Sequence, residues 1–493
     1  MKDPMTASAS RSTRPIPFII GGRRVVPSED SLQSLALDTG HDIQLPRLTP
    51  ALVEEVLALD RFLLRDVPLY DIISFLNNVG NNWKSDEYPR RRTYVRQLVD
   101  CLGYSEKMAE NEANWIALIL SSHFRFHDTI AAELGSRHIL DGWVQGEEAE
   151  VRAFPRGRSL HILAGNVPLG GVVSIMRALI TKNLCVVKMS SKDPFTAVAL
   201  ALSFQDVDSL HVLSRALNVV HWSSDQEASS KEGDRLLQAS DSVLVWGGRE
   251  AIEWAARRAP PSAEVIKFGP RRSLAVIGRD ADRRKAARAL AHDVSMYDQR
   301  ACFSVQQVFV EGDHSALVDE LKLALEHYST LVPKGHHDFD ERAVWSLAKL
   351  EATFLGADVI AGQGQDWSIV HCPPGWIEAH PLGRTIYVHS IPRLEAVAEY
   401  IDEEVQTVAV YPWSRGRDIR DLCGAAGASR IVELGINNVF RPGGTHDGMY
   451  SLQRLVRLVS HEASAEVHPK GITIPIDLTK FFEEDRFSEF IPG

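Results

Sequence analysis

Between about Thr49 and Gly135, apolar residues recur every three to four positions, as in Leu52-Val53-Val56-Leu57 and Trp115-Ile116-Ile119-Leu120. That spacing is one buried face of a helix, so the stretch predicts a helical N-terminal region. After Pro155 the pattern changes. Short apolar runs at Leu160–Leu163, Leu184–Lys188, Val219–Trp222, Ser242–Trp246 and Glu264–Phe268 are separated by helix-like stretches at Val172–Thr181, Phe195–Phe204 and Ala251–Arg258. A β-α-β-α rhythm predicts an open, mostly parallel sheet. A second series opens at Ser273, with an apolar run Leu274–Ile277, a helical pattern over Ala281–Val294, strands at Val305–Val310 and Val408–Tyr411, and a helix over Ala316–Tyr328. The reading is an α/β chain in four parts: a mainly helical region over 1–150 packing on a first α/β domain over 151–272, a second α/β domain over 273–440, and a C-terminal segment over 441–493 that returns to the first domain. Within that last segment Ile472, Ile474 and Ile476 alternate as in a strand, and Pro475 confines it to a sheet edge. An edge of this kind pairs with another subunit, so a homo-oligomer is expected.

Composition narrows the class. A chain of 493 residues exceeds what one core holds, while 44% hydrophobic and 24% charged residues are ordinary for a globular protein. The net charge of −11 argues against nucleic acid as partner, because phosphate backbones demand a basic face. Cys101, Cys185, Cys302, Cys372 and Cys423 are odd in number and widely spaced, as expected in a reducing compartment. Met1 to Pro17 lacks the apolar core of a signal peptide and reads as a frayed tail; the longest apolar stretch, His161–Ile180, is broken by glycines and Arg177. These features predict a cytoplasmic protein without a membrane span.

Candidate chemistry gathers at strand ends. Cys302 lies where a helical pattern stops and a β-branched strand begins, a break that can present a thiol to a cleft; a buried core cysteine is the alternative. Asn166, in Gly165-Asn-Val-Pro-Leu-Gly-Gly171, stands between a strand and a helix, where its amide can donate to an oxyanion or simply form a turn. Lys188-Met-Ser-Ser191 follows a strand, the position from which Lys188, Ser190 and Ser191 can meet a nucleotide ribose. Gly247 and Gly248 open a helix and suit phosphate contact through backbone N–H groups. Glu404 belongs to the charge run Asp402-Glu-Glu404, ordinarily a solvated face. His336-His337-Asp338, with Asp340 and Glu341, lacks metal-ligand spacing and reads as a solvated loop, so no metal is expected.

The order of these motifs resembles the aldehyde dehydrogenase superfamily. Leu163-Ala-Gly-Asn-Val-Pro-Leu169, Phe268-Gly-Pro270 and Gly443-Gly-Thr-His-Asp-Gly448 look more like its acyl-CoA reductase branch, whose best-known member is the fatty acid reductase of bacterial bioluminescence. The resemblance implies a Rossmann-type cofactor domain and an α/β catalytic domain with the helical N-terminal region added. It implies Cys302 as nucleophile, Asn166 as oxyanion donor, Lys188 and Glu404 as the groups on the two cofactor riboses, and Gly247 near the phosphates. Two departures matter. Lys267 stands where hydrolytic members carry a glutamate that activates water, and Ser191 stands where NAD-preferring members carry a ribose-binding glutamate. The implied activity is reduction of a fatty acyl-CoA or acyl-carrier thioester to the aldehyde with NADPH (NADP), through an S-acyl Cys302, with an acyl-donating enzyme as a possible partner. A hydrolytic aldehyde dehydrogenase and a catalytically silent partner subunit are the alternatives.

Overall fold

The computed structural model describes residues 15–26, 31–146, 149–223, 227–337, 339–371 and 380–462. Two seven-stranded sheets organise them. The first has Arg158–Ile162 near its centre, flanked on one side by Leu184–Lys188 and Leu217–Val220 and on the other by Ser242–Trp246 and Glu264–Phe268, all parallel. Parallel strands covered by helices on both faces carry continuous apolar runs, and Leu184, Cys185, Val186 and Val187 are accordingly solvent-free. After Leu217–Val220 the chain returns to the other side of Arg158–Ile162 to lay down Ser242–Trp246. This reversal leaves a crevice at the carboxyl ends of those two strands.

The second sheet is ordered Asp358–Ala361, Ser368–His371, Thr385–Ile391, Val305–Glu311, Arg272–Ile277, Val405–Tyr411 and Arg430–Glu433, with only the Asp358–Ala361 edge antiparallel. Its two faces are closed by separate cores, one centred on Leu290, Leu321 and Ile386 and the other on Phe309, Val408 and Ile419. A third, three-stranded sheet pairs Val456–His461 with Glu150–Pro155, and that strand with Val144–Gln145.

The N-terminal region holds the helices Pro50–Leu57, Leu69–Trp83, Pro89–Leu102, Glu106–Leu120 and His123–Leu134, whose buried faces merge with the first sheet into one core. It also holds strands that periodicity over a long window misses. The hairpin Phe18–Ile20 and Arg23–Val25 joins the first sheet beside Leu217–Val220, because Phe18, Ile19 and Ile20 are consecutive apolar residues that need cover on both faces. Leu32–Ala36 pairs with Asp42–Pro46, and Ile16 donates its backbone N–H to Gln44 at 2.9 Å, so the end of the expected frayed tail is tied down. Residues 1–14, Cys372 and the alternating segment Gly471–Leu478 lie outside the described residues. Among the described residues no helix is long and apolar enough to cross a membrane.

Candidate active site

Cys302 sits in the turn between the helix Arg283–Ser295 and the strand Val305–Glu311. The approach to it is unusual: Tyr297, Asp298 and Gln299 all take positive φ, of 53°, 48° and 67°. Three non-glycine residues in succession in that region are strained, and the surroundings must over-determine them. Buried side chains do so. Asp298 accepts from Arg384 Nε at 2.8 Å and from the Gly335 N–H at 2.9 Å, and lies 3.1 Å from His337 Nε2. Gln299 donates to the carbonyls of Val305 and Thr385 at 2.7 and 2.6 Å and accepts from the Thr385 N–H at 2.9 Å. Burial opposes the Asp298 carboxylate, but His337 and Arg384 outweigh it and hold its pKa below the ordinary value.

His337 therefore departs from the solvated loop expected of its segment. It is buried, and its Nδ1 lies 2.9 Å from Glu341. Its main partner, Asp298, is 39 residues away in sequence, which local pattern cannot reveal.

The half-buried thiol of Cys302 receives a hydrogen bond from Gln406 Nε2 at 3.1 Å, and the same amide nitrogen donates to Asp447 Oδ1 at 2.8 Å. Arg271 Nε stands 3.7 Å from the other Asp447 oxygen. Burial, reinforced by the Asp447 charge, pushes the thiol up to about 11. Burial also raises Asp447, against the pull of Gln406, Arg271 and Arg177. The resting cysteine is a thiol rather than a thiolate. Beside this network His446 stacks on Phe440 at 4.8 Å and meets Trp246 and Phe268 edge-on, and burial drives its pKa far down, so it stays a neutral imidazole.

Asn166 reaches the cysteine turn. It precedes the helix Pro168–Ile180, which has no side-chain cap, and it donates its amide to the carbonyl of Arg300 at 2.9 Å. The loop behind it packs on the next strand's loop: a Cβ on Gly165 would stand 2.4 Å from Lys192 Cβ and 2.7 Å from Ser190 Oγ, so only glycine permits this approach. The ends of the strands carrying Asn166 and Lys188 are thereby locked together.

The remaining predicted residues stand at or just beyond the carboxyl ends of the first sheet's strands, with Glu404 just before the strand Val405–Tyr411. Lys188 is partly buried with its ammonium 5.9 Å from the Trp222 ring centre, and no carboxylate pairs with it among the described residues. Ser190 accepts the Lys192 N–H at 3.2 Å, and Ser191 Oγ lies 3.1 Å from His221 Nε2. Gly248 caps the helix Arg249–Arg258 with no side-chain bond, and a Cβ there would have nothing within 4 Å. Packing within the chain does not demand this glycine; the Gly247 N–H is donated to the Phe268 carbonyl at 3.2 Å, while the helix start beginning at Gly248 has no side-chain cap, a place that suits a phosphate. Glu404 stands just before the strand Val405–Tyr411 of the second sheet. It accepts from Arg272 at 2.8 Å and stands 3.9 Å from Arg249, at the start of the helix after the first sheet's strand Ser242–Trp246. An uncapped helix start, an unpaired ammonium and a carboxylate across the crevice make a donor set that fits a nicotinamide dinucleotide. Lys267 is exposed on the outermost strand Glu264–Phe268, between the buried Ile266 and Phe268.

Gln406, Asp447 and Arg271 were not singled out from sequence. The available signal was the polar pair Gln406-Thr407 inside the otherwise apolar strand Val405–Tyr411, both residues being buried. Asp447 lay inside a quoted segment but had no visible partner.

Comparison with known proteins accords with this geometry. Residues 64–458 match the family model described as acyl-CoA reductase (LuxC). The chain is 44% identical over 484 residues to a long-chain acyl-protein thioester reductase of Photorhabdus luminescens and 42% identical over 488 residues to one of Vibrio harveyi, covering 97% of this chain and 99% of each relative. Among solved structures, an NADP-dependent enzyme of Escherichia coli superposes with a TM-score of 0.71 at 16% identity, over 91% of this chain and 98% of that one. A 3,6-anhydro-L-galactose dehydrogenase solved in complex with NAP superposes with a TM-score of 0.69 at 17% identity, over 90% and 99%. The fold is that of these dehydrogenases, and the chain, an oxidoreductase of the thioester-reducing type within the aldehyde dehydrogenase superfamily, belongs to the LuxC family of acyl-CoA reductases.

Proposed function

We propose that this protein reduces a long-chain acyl thioester, of CoA or of a carrier protein, to the aldehyde with NADPH, through an acyl group held on Cys302. The observation that carries the reading is the position of the Cys302 thiol, bonded to Gln406 at 3.1 Å in a turn that Asn166 also reaches. Attack of the sulfur on the thioester carbonyl places negative charge on oxygen. The second N–H of the Asn166 amide and the backbone N–H of Cys302 are the donors that stabilise it. Collapse expels the acyl donor's thiol and leaves the S-acyl enzyme.

Lys188, Ser190 and Ser191 would hold the adenosine end of a bound NADPH, the Gly247-Gly248 helix start its phosphates and Glu404 the nicotinamide ribose, and the cofactor would supply hydride to the thioester. Asn166 would serve the second oxyanion as it served the first, and breaking of the C–S bond would release the aldehyde and return the Cys302 sulfur. With Lys267 at the sequence position of the hydrolytic base, the usual group that takes a proton from water is missing, and the acyl enzyme waits for reduction. The names of the relatives, which specify an acyl-protein thioester, agree with this substrate class.

The test is acylation with labelled long-chain acyl-CoA in the absence of cofactor, followed by peptide mass analysis and a chase with NADPH. Label on Cys302 that leaves as aldehyde supports the reading. Thioester-dependent aldehyde formation by Cys302→Ala would overturn it.

A further inference from the structure

Three features at the ends of two neighbouring strands share one unmet need. Lys188 closes the second parallel strand of the first sheet, and His221 follows the third; the Met189 N–H donates to the Val220 carbonyl at 3.0 Å and holds the two ends in register. Lys188 keeps a partly buried ammonium with no carboxylate partner among the described residues, an arrangement whose cost an anion would offset. His221 is 2% exposed; its Nε2 lies 3.1 Å from Ser191 Oγ, and its Nδ1 is buried with no hydrogen-bond partner among the described residues. Burial and the neighbouring Lys188 charge hold this imidazole neutral.

A neutral imidazole has one N–H and one lone pair, so its tautomer sets the serine's behaviour. With the proton on Nδ1, the Ser191 hydroxyl is consumed in donating to Nε2. With the proton on Nε2, the imidazole donates to Ser191 Oγ and the serine hydrogen is free for an incoming acceptor. An anion beside Lys188 and Ser191 selects the second state.

The end of the second strand of a dinucleotide fold is where the adenosine ribose lies, and a carboxylate there binds its 2′-hydroxyl. Here that place holds a lysine, two serines and a buried histidine. We infer that His221 is a positioning residue for the 2′-phosphate of the cofactor, orienting the Ser191 hydroxyl so that it and Lys188 bind the phosphate together. The inference rests on the NADPH reading above and deepens it.

Calorimetric titration of the full-length protein with 2′,5′-ADP and with 5′-ADP separates the two. The parent is expected to bind 2′,5′-ADP at least tenfold more tightly. His221→Leu should lose about tenfold on 2′,5′-ADP and keep its affinity for 5′-ADP, the loss expected for one hydrogen bond to a charged group. His221→Gln, whose amide can still donate to Ser191, should retain most of the preference. Equal losses on both nucleotides in His221→Leu, or an unchanged ratio, overturn the role of His221 and leave the NADPH reading intact. A parent that binds both nucleotides equally overturns the NADPH reading itself. Should His221→Leu not fold, a folded His221→Gln that has lost the preference also overturns the inference.

Discussion

Asp447→Asn is expected to make Cys302 more reactive. The carboxylate is joined to the sulfur through one amide nitrogen, by a 2.8 Å and a 3.1 Å step, so charge and thiol lie within about 6 Å of each other. At an effective dielectric constant near 20, two charges about 6 Å apart interact by about 3 kcal/mol, equivalent to about two pKa units. Asparagine keeps an acceptor for Gln406 and removes only the charge. The thiol, now held up to about 11, should fall by roughly one to two pH units, because burial remains while the repulsion is gone. Thiolate at neutral pH then rises about tenfold to a hundredfold, but a less basic thiolate is a weaker nucleophile by a Brønsted factor of about 0.4–0.5, so the net gain is about threefold to tenfold. The assay is the rate of alkylation by iodoacetamide between pH 6.5 and 10, with mass analysis confirming Cys302 as the site. In the parent the rate should climb with pH throughout that range; in the variant it should be faster at neutral pH and level off at lower pH. Superimposable profiles would show that Asp447 does not act on the sulfur electrostatically. Slower alkylation would mean that it holds the thiol's geometry instead.

Asn166→Ala should lower turnover by about a hundredfold to a thousandfold with little change in cofactor affinity, as loss of one oxyanion donor does; parental turnover would reduce Asn166 to a turn former. Lys267→Glu should shorten the life of the acyl enzyme in the absence of cofactor, measured as release of free fatty acid, and rapid release already in the parent would favour the hydrolytic reading. Glu112→Gln should stabilise the protein above neutral pH. Glu112 is completely buried, and burial raises its carboxyl from 4.5 to about 8. The folded state thus holds a proton that the unfolded chain releases above pH 4.5, so stability is highest below that value and falls as pH rises to 8, by roughly 3 kcal/mol at pH 7. The parent's Tm should drop between pH 5 and 8 and the variant's should stay nearly level; parallel curves would show that Glu112 does not carry the proton.

The fold was legible because it rests on short-range signals. Runs such as Leu184-Cys-Val-Val187 are apolar on every position because both sheet faces are covered, and the helical spacings between them fix the α/β alternation. The order of Asn166, Lys188, Gly247, Cys302 and Glu404 also stands in the sequence, since each marks the end of an element and turn chemistry is local. The strand Phe18–Ile20 was hidden because three residues carry no period, and its pairing partner Leu217–Val220 is some two hundred residues distant.

What only tertiary structure decided is which side chains share a hydrogen bond or a charge. Gln406 meets Cys302 from the strand Val405–Tyr411, Asp447 meets Gln406 from a late loop, Arg271 stands beside Asp447 from the residue before Arg272–Ile277, and His221 meets Ser191 across a strand pair. His337 changed from a solvated residue to part of the support beneath the cysteine turn because Asp298, itself held by Arg384, comes to it. Periodicity records whether a position faces water. It does not record the partner of a buried polar group, which depends on distances between segments that the chain brings together only when both sheets have formed.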